Sequence, residues 1–163
     1  MTSKIDVRVI LSDHFNTFRD EASGNYSYFD FVIMLGLPLV LSIAAAAMQL
    51  HIRDEYVSTL ISAFAIFAGL LFNVLVLIYS VSGDGKEKDE IRDRLVAQSF
   101  SNISFSVMSS LIAVMFLSLL LFVNGIYQSV VEACVYFICL NFLLTMLMVL
   151  KRIHVLLRER FSS

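Results

Sequence analysis

The chain has 163 residues, of which 58% are hydrophobic and 16% are charged, and its formal net charge is −2. Soluble domains average about 45–50% apolar and about 25% charged residues, and a domain of this size cannot bury so large an apolar excess in one core. The composition therefore excludes a soluble enzyme, a nucleic-acid-binding module and a disordered chain as the main interpretation. It predicts a protein whose principal solvent is lipid.

Residues 1–29 are predicted to form an amphipathic segment on the cytoplasmic side. The stretch 5–11 has the pattern of a short strand, and Ser12 is a candidate N-cap for a helix over 13–21. One face of this helix would carry the apolar residues Leu11, Phe15, Phe18 and Ala22. Such a face suits a helix that lies on the membrane surface or packs against the ends of other helices. No cleavable signal peptide is expected, because the segment lacks a short apolar core.

Four apolar runs follow, at residues 31–50, 56–81, 99–123 and 130–150. A helix needs about 20 apolar residues to cross about 30 Å of hydrocarbon, and each run is long enough. None of the runs alternates in polarity as a barrel strand does. The sequence therefore predicts an all-α integral membrane protein, with four transmembrane helices in the domain 30–163. Because short connections join the first pair and the last pair of runs, the four helices would be arranged as two hairpins.

The basic residues are distributed unequally between the two predicted sides of the membrane. Eleven of the twelve lie before, between or after the hairpins, and Arg53 alone lies on the other side. Since Lys and Arg in short loops stay in the cytoplasm, both termini, the link 82–98 and the tail 151–163 are predicted to be cytoplasmic. This indicates a multi-pass protein of a bacterial-type inner membrane.

The link and the tail are both predicted to extend transmembrane helices into the cytoplasm. From Lys86 onward the link is compatible with a helix that runs into the third span, with Glu90 and Arg94 in the favourable order four residues apart. The cations that would contact a cytoplasmic protein partner or anionic lipid are Lys86, Lys88, Arg92, Arg94, Lys151, Arg152, Arg158 and Arg160. Anionic lipid would attract each cation of the tail by about 1 kcal/mol. Apolar residues in the tail favour a protein platform as the second interpretation.

The residue types that carry out catalysis are sparse. The histidines His14, His51 and His154 are scattered, and Cys134 and Cys139 lie on different faces of one helix. The spans hold no acidic residue at depth, and Glu132 is expected at a membrane edge, where water or headgroups solvate it. The sequence therefore predicts no enzyme, no metal site and no cofactor, and it does not favour a transporter.

Two amides and one proline lie within the spans. Asn73 and Asn141 need hydrogen-bond partners in hydrocarbon, so they either join helices, at about 0.6–2 kcal/mol per contact, or line a polar pathway. Pro38 removes a backbone N–H and frees a carbonyl oxygen in the first span, which tends to kink a helix.

Small and polar residues form one stripe on the second span and one on the third. The members of the first stripe are Ser58, Ser62, Ala65, Gly69 and Asn73, and those of the second are Asn102, Ser106, Ser109 and Ala113. Small side chains let two helices approach closely. The spacing leaves open whether each stripe packs within the bundle or between subunits.

Two strings resemble a known type of protein. IFAGLLFNVLVLIY at 66–79 and SNISFSV at 101–107 are similar to small four-span bacterial membrane proteins that are encoded beside antiviral defence genes, such as the membrane subunit of Kiwa-type systems. The resemblance implies a defence-associated membrane component and assigns no catalytic residue.

Two functional hypotheses follow from these features. The first is a non-enzymatic, self-associating membrane protein that anchors or signals to a cytoplasmic protein partner and binds no nucleic acid directly. The second is a pore-forming or depolarising effector, in which Asn73, Asn141 and the serines of the third span would face an aqueous path.

Overall fold

The structure, a computed structural model, describes residues 7–18, 28–81 and 90–162, and the regular elements within these ranges are helical. We label as α2 a continuous helix over 28–47 that contains one π-helical segment. The elements are α1 (Arg8–Asn16), α2 (Tyr28–Phe31, the π segment Val32–Gly36, and Leu37–Ala47), α3 (Asp54–Val81), α4 (Glu90–Leu120) and α5 (Ile126–Ser162).

Three of these helices, α3, α4 and α5, are long and apolar enough to cross a membrane. The apolar part of α2, Val32–Ala47, is shorter. The predicted all-helical class is thus confirmed for the described residues, and three of the helices have the length and composition of a membrane span.

Two helices end before the predicted spans do. The run 31–50 stays helical only to Ala47, after which the chain turns through Gln49 with a φ of 54°. Within the run 99–123, the helix ends at Leu120. In both cases the apolar residues continue into the turn, so composition alone extended the helix too far.

The N-terminal segment folds differently from its prediction. Residues 8–11 begin α1 instead of forming a strand, and Ser12 lies inside the helix instead of capping it. The helix begins after Val7, whose side chain makes no capping hydrogen bond. The start of α1 therefore has no side-chain cap, and its first residues, Arg8 and Val9, are exposed. The predicted residues 19–22 lie outside the described residues.

The helices are arranged with α4 and α5 at the centre of the bundle. Helix α3 packs against α4, α2 packs against α5, and α1 packs across the first half of α4. The predicted pairing of the first two spans is therefore not found, since α2 packs on α5 instead of α3. The second predicted pair, α4 and α5, does pack together.

The bundle has two distinct ends. We call one end the α1 end, because α1, the first turns of α4 and the last turns of α5 lie there. We call the other end, which holds the connections 48–53 and 121–125, the far end. Between them lies an apolar core, in which Val57, Ile103, Leu117 and Val135 are almost completely buried. This core holds α3, α4 and α5 together.

Candidate functional site

A buried polar network joins α1 to the bundle. His14 is 2% exposed, and its Nδ1 donates a hydrogen bond to Asn102 Oδ1 of α4 at 2.8 Å. The Thr17 hydroxyl lies 2.7 Å from the His14 carbonyl oxygen and 3.1 Å from the same Asn102 oxygen. The Asn102 amide nitrogen is directed at Met148 Sδ of α5, 3.3 Å away. One amide thus connects three helices.

Aromatic and charged contacts complete the docking of α1. The His14 ring stacks on Phe105 with centroids 3.8 Å apart and 1° between the planes, and the Phe18 ring meets it edge-on at 4.9 Å. Arg152 of α5 donates to the Thr17 carbonyl oxygen at 3.2 Å and to that of Gln98 at 3.4 Å. The guanidinium therefore binds the carbonyl end of α1, where a cation is favoured by the helix dipole.

The environment of His14 favours its neutral form. Burial lowers the pKa of His14 to about 4, the hydrogen bond to Asn102 opposes this change, and the nearby positive charge of Arg152 adds to it. Because Asn102 Oδ1 is an acceptor, the single proton of the neutral ring lies on Nδ1. The other ring nitrogen, Nε2, is then an acceptor.

Beneath α1 lies a cavity of about 220 Å³, which we call the α1 cavity. Its walls come from α1, α2, α4 and α5 and are mainly apolar, with Phe105, Ile112 and Phe137 among them. Three polar side chains also line it: His14, Ser109 and Asn141.

The stripe of small residues on α4 is buried within the protomer. Its members Asn102, Ser106 and Ala113 are fully buried, and Ser109 is 6% exposed. The Ser106 hydroxyl donates to the Asn102 carbonyl oxygen at 2.9 Å, so it is satisfied by its own helix. This stripe accordingly serves packing inside the bundle.

The stripe on α3 has the opposite placement. Ser58, Ser62, Ala65, Gly69 and Asn73 are all exposed. The Asn73 amide hydrogen-bonds to none of the residues that the structure describes. The described residues therefore leave this stripe uncovered.

Asn141 of α5 binds the backbone of α2 one turn before Pro38. In an α-helix the N–H of residue 38 would bind the carbonyl oxygen of Met34, and Pro38 has no N–H to donate. Asn141 Nδ2 donates to this Met34 oxygen at 2.8 Å. Asn141 thus joins α5 to α2 at the π segment Val32–Gly36, which contains Met34.

At the far end, Glu132 is buried instead of solvated as expected. It is 2% exposed, and its carboxylate accepts hydrogen bonds from His51 Nδ1 at 2.9 Å and from the Ile52 backbone N–H at 3.1 Å. Gln128 donates to it at 3.2 Å. Glu132 therefore fastens the connection 48–53 onto α5, which explains why α2 packs on α5.

The predicted cytoplasmic cations have different environments. Arg94, Lys151 and Arg158 are exposed, and Arg152 is half-buried in the α1 network. Lys86 and Lys88 lie outside the described residues, and the side chains of Arg92 and Arg160 also do. The structure thus assigns Arg152 to holding α1, a role that the sequence did not indicate.

The described residues form hydrogen-bonded contacts that dock one helix on another. Within the described ranges, no group of three or more His, Cys, Asp or Glu side chains is arranged to hold a metal ion. Comparison of the chain with protein-family models, with curated proteins and with solved structures gives no match. The functional argument therefore rests on the α1 network, the two stripes and the charged helix ends.

Proposed function

We propose that this protein is a non-enzymatic, four-span inner-membrane protein that self-associates and uses its α1 end to anchor or signal to a cytoplasmic protein partner. The antiviral-defence setting of this proposal rests on the resemblance of 66–79 and 101–107 alone. The remaining parts are supported by the geometry of the helices.

The length and position of α2 support a fourth span. Its first turn lies near α1, with the Phe31 and Phe15 rings 6.4 Å apart, and the chain that follows it binds Glu132 at the far end. At about 1.5 Å per residue, 28–47 is about 30 Å long, which matches the hydrocarbon thickness. A helix that runs from one end of the bundle to the other over this length suits a span.

The distribution of charge supports a cytoplasmic α1 end. The described cations outside the far end, among them Arg94, Lys151 and Arg158, lie in the parts of α4 and α5 that approach α1. Arg53 lies at the far end, where it pairs with Glu55 at 3.2 Å. By the positive-inside rule, the α1 end then faces the cytoplasm.

The observation that carries the partner proposal is that α4 and α5 continue without a break beyond their apolar parts. With 31 and 37 residues, they are about 46 Å and about 55 Å long, whereas the hydrocarbon core is about 30 Å thick. They are antiparallel neighbours, so the first turns of α4 and the last turns of α5 project from the same end. Together with docked α1, these projections form a charged platform of rigid helices.

The exposed α3 stripe supports self-association. An amide in hydrocarbon gains about 0.6–2 kcal/mol from an interhelical hydrogen bond, and Asn73 makes none within the described protomer. Small residues beside it let a second α3 approach closely. A second copy that presents the same face satisfies both amides.

Charge reversal at the platform tests the partner proposal. The protein is purified in mild detergent with the products of its neighbouring genes co-expressed, as wild type, as the double variant Lys151→Glu/Arg158→Glu, and as the far-end control Arg53→Glu. We expect one of these cytoplasmic proteins to co-purify with wild type and with the control and to be lost from the double variant. Its absence from wild type, or equal recovery with all three proteins, would contradict the proposal.

Anionic lipid is the alternative ligand of the same cations. It is distinguished by reconstituting the wild type and the double variant in vesicles with and without anionic lipid, with the identified partner added. Partner binding that persists in purely zwitterionic vesicles supports a protein contact, and partner binding that requires anionic lipid indicates that the cations act on the membrane.

The pore alternative gains no support from the described residues. The hydroxyls of Ser106, Ser110 and Thr145 donate to backbone carbonyl oxygens of their own helices and are buried in the protomer core. A membrane-potential dye in cells that overproduce the protein tests the alternative. Depolarisation that is lost in Asn73→Leu would favour a pore over an anchor.

A further inference from the structure

The α1 cavity is large enough for a small organic molecule. Its volume of about 220 Å³ exceeds that of apolar protein cavities of about 150 Å³, which bind one benzene ring. Small-molecule sites are typically concave and apolar with a few polar groups, and the α1 cavity has this composition.

Three polar side chains in its wall are each more than nine-tenths buried and keep an unused polar atom. His14 and Asn141 are 2% and 7% exposed, and each uses one nitrogen in a hydrogen bond to another helix. This leaves His14 Nε2 and Asn141 Oδ1 without a partner among the described residues. Ser109 is 6% exposed, and its hydroxyl makes no hydrogen bond there either.

The unused atoms have a defined chemical preference. His14 carries its proton on Nδ1, so Nε2 accepts, as does the carbonyl oxygen of Asn141. The Ser109 hydroxyl donates or accepts as required. These three side chains line the cavity, so a ligand that brings a donor gains a hydrogen bond that a ligand without one cannot make.

Neither water nor pure hydrocarbon matches this combination. A water molecule occupies about 30 Å³ and needs two to four polar partners, so three polar groups do not hold enough water to fill a mainly apolar space of this size. Hydrocarbon fills the apolar part and leaves the acceptors unpaired. We propose that the α1 cavity binds a small molecule that combines one apolar ring with one hydroxyl or N–H donor.

This site does not depend on the proposed partner function. In the bound state, the ligand ring packs among the apolar wall residues, and its donor binds His14 Nε2. Where the donor is a hydroxyl, Ser109 donates to its oxygen. Because His14 belongs to α1, occupancy adds a further contact between α1 and the bundle.

Phenol and toluene are the probes that separate the donor from the ring, since they have nearly the same shape and differ in the hydroxyl group. Binding is measured by equilibrium dialysis of each labelled compound against the full chain in nanodiscs, with empty nanodiscs subtracted. We expect about one phenol per chain, bound at least tenfold more tightly than toluene.

Neighbouring serines supply matched variants. Ser109→Ala removes a cavity hydroxyl and should weaken phenol binding about three- to tenfold with little change for toluene, since one hydrogen bond contributes about 0.5–1.5 kcal/mol. Ser110→Ala is the control, because the Ser110 hydroxyl donates to Ser106 and does not line the cavity. Ser109→Leu fills the space and should remove both ligands.

A spectroscopic signal at His14 locates the ligand. The variant His51→Gln/His154→Gln, purified on a tag without histidine, leaves His14 as the sole histidine of the chain. We expect phenol to shift the ¹⁵N resonance of Nε2 and toluene to leave it nearly unchanged. Equal affinity for both compounds, an unchanged Nε2 resonance with phenol, or binding unaffected by Ser109→Leu would overturn the proposal and indicate a cavity filled by water or by a lipid chain.

Discussion

The stripes of small residues on α3 and α4 have the same spacing and opposite surroundings. Ser58, Ser62, Ala65 and Gly69 are exposed, whereas the corresponding members of the α4 stripe are buried. Helix α4 has α3, α5 and α1 as neighbours, while α3 packs mainly against α4 and touches α5 where Phe64 and Phe67 meet Phe142. Spacing thus defines a face of a helix, and the position of the helix in the bundle decides whether that face is covered.

The two amides at the ends of these stripes make the contrast sharper. Asn102 bonds to α1 and α5, and Asn73 bonds to no described residue. We therefore expect changes in the α4 stripe to affect the stability of the protomer and changes in the α3 stripe to affect only its association.

Acid should have the largest of the expected effects, and it should weaken the docking of α1 on α4. The pKa of His14 is lowered to about 4 in the docked state, so the undocked state binds the proton more readily. Docking is therefore strongest above about pH 6.5 and weakens as the pH falls towards 4, by about 2 kcal/mol at pH 5 and about 3 kcal/mol at pH 4.

Hydrogen exchange of the α1 amides between pH 7 and pH 5, corrected for intrinsic rates, measures this effect. His14→Gln cannot gain a charge and is the control. Equal pH dependence of docking in the wild type and in His14→Gln would show that another group is responsible.

Substitution of the two amides should have unequal effects on protomer stability. Asn102→Leu removes the acceptor of His14 and Thr17 and leaves a buried donor unpaired, which should cost about 2–3 kcal/mol. Asn73→Leu should change the unfolding free energy of the monomeric protein by less than about 0.5 kcal/mol, as is usual for exposed positions. Thermal unfolding in detergent compares them, and similar losses in both variants would remove the distinction between the stripes.

The alanines of the stripes allow the same comparison without polar groups. Ala113 is fully buried and Ala65 is exposed. Ala113→Leu should overpack the core and cost about 2 kcal/mol, whereas Ala65→Leu should leave the unfolding midpoint of the monomeric protein unchanged. A stable Ala113→Leu protein would mean that α4 has free space on this face.

Much of the helical class could be predicted from the sequence, because apolar runs of span length have few alternatives. The ends of the helices could not, since apolar residues such as Leu50 and Leu121 continue past them. The face of α1 that contains Leu11, Phe15 and Phe18 was predicted, and these residues are buried or half-buried. Its start was wrong, because the helix begins at Arg8 without a side-chain cap and Ser12 lies inside it.

The polar contacts were harder to foresee because their partners are distant in sequence. His14 and Asn102 are 88 residues apart, and Met34 and Asn141 are 107 residues apart. The sequence indicated that Pro38 frees a carbonyl oxygen and that Asn141 needs a partner, and only the fold joins them. Glu132 was expected in water because no local signal shows that the connection 48–53 folds over it.

The smallest expected energy is that of association through α3. Asn73→Leu should weaken self-association by about 0.6–2 kcal/mol, which is about three- to thirtyfold in the dissociation constant. Energy transfer between labelled copies diluted in lipid measures it. Asn141→Leu is a poor control because it breaks the bond to Met34, so Leu147→Ala, on an exposed position of α5, is preferable.

Disulfide cross-linking tests the central claim, that the α3 stripe meets a second copy while the α4 stripe is covered within the protomer. In a background with Cys134→Ala and Cys139→Ala, single substitutions Ser62→Cys, Leu147→Cys and Ser106→Cys are oxidised in the membrane. Ser62 and Leu147 are exposed and Ser106 is buried, so Leu147 controls for accessibility. We predict a cross-linked dimer for Ser62→Cys alone. No dimer at Ser62, or equal dimer formation at Leu147, would contradict the claim.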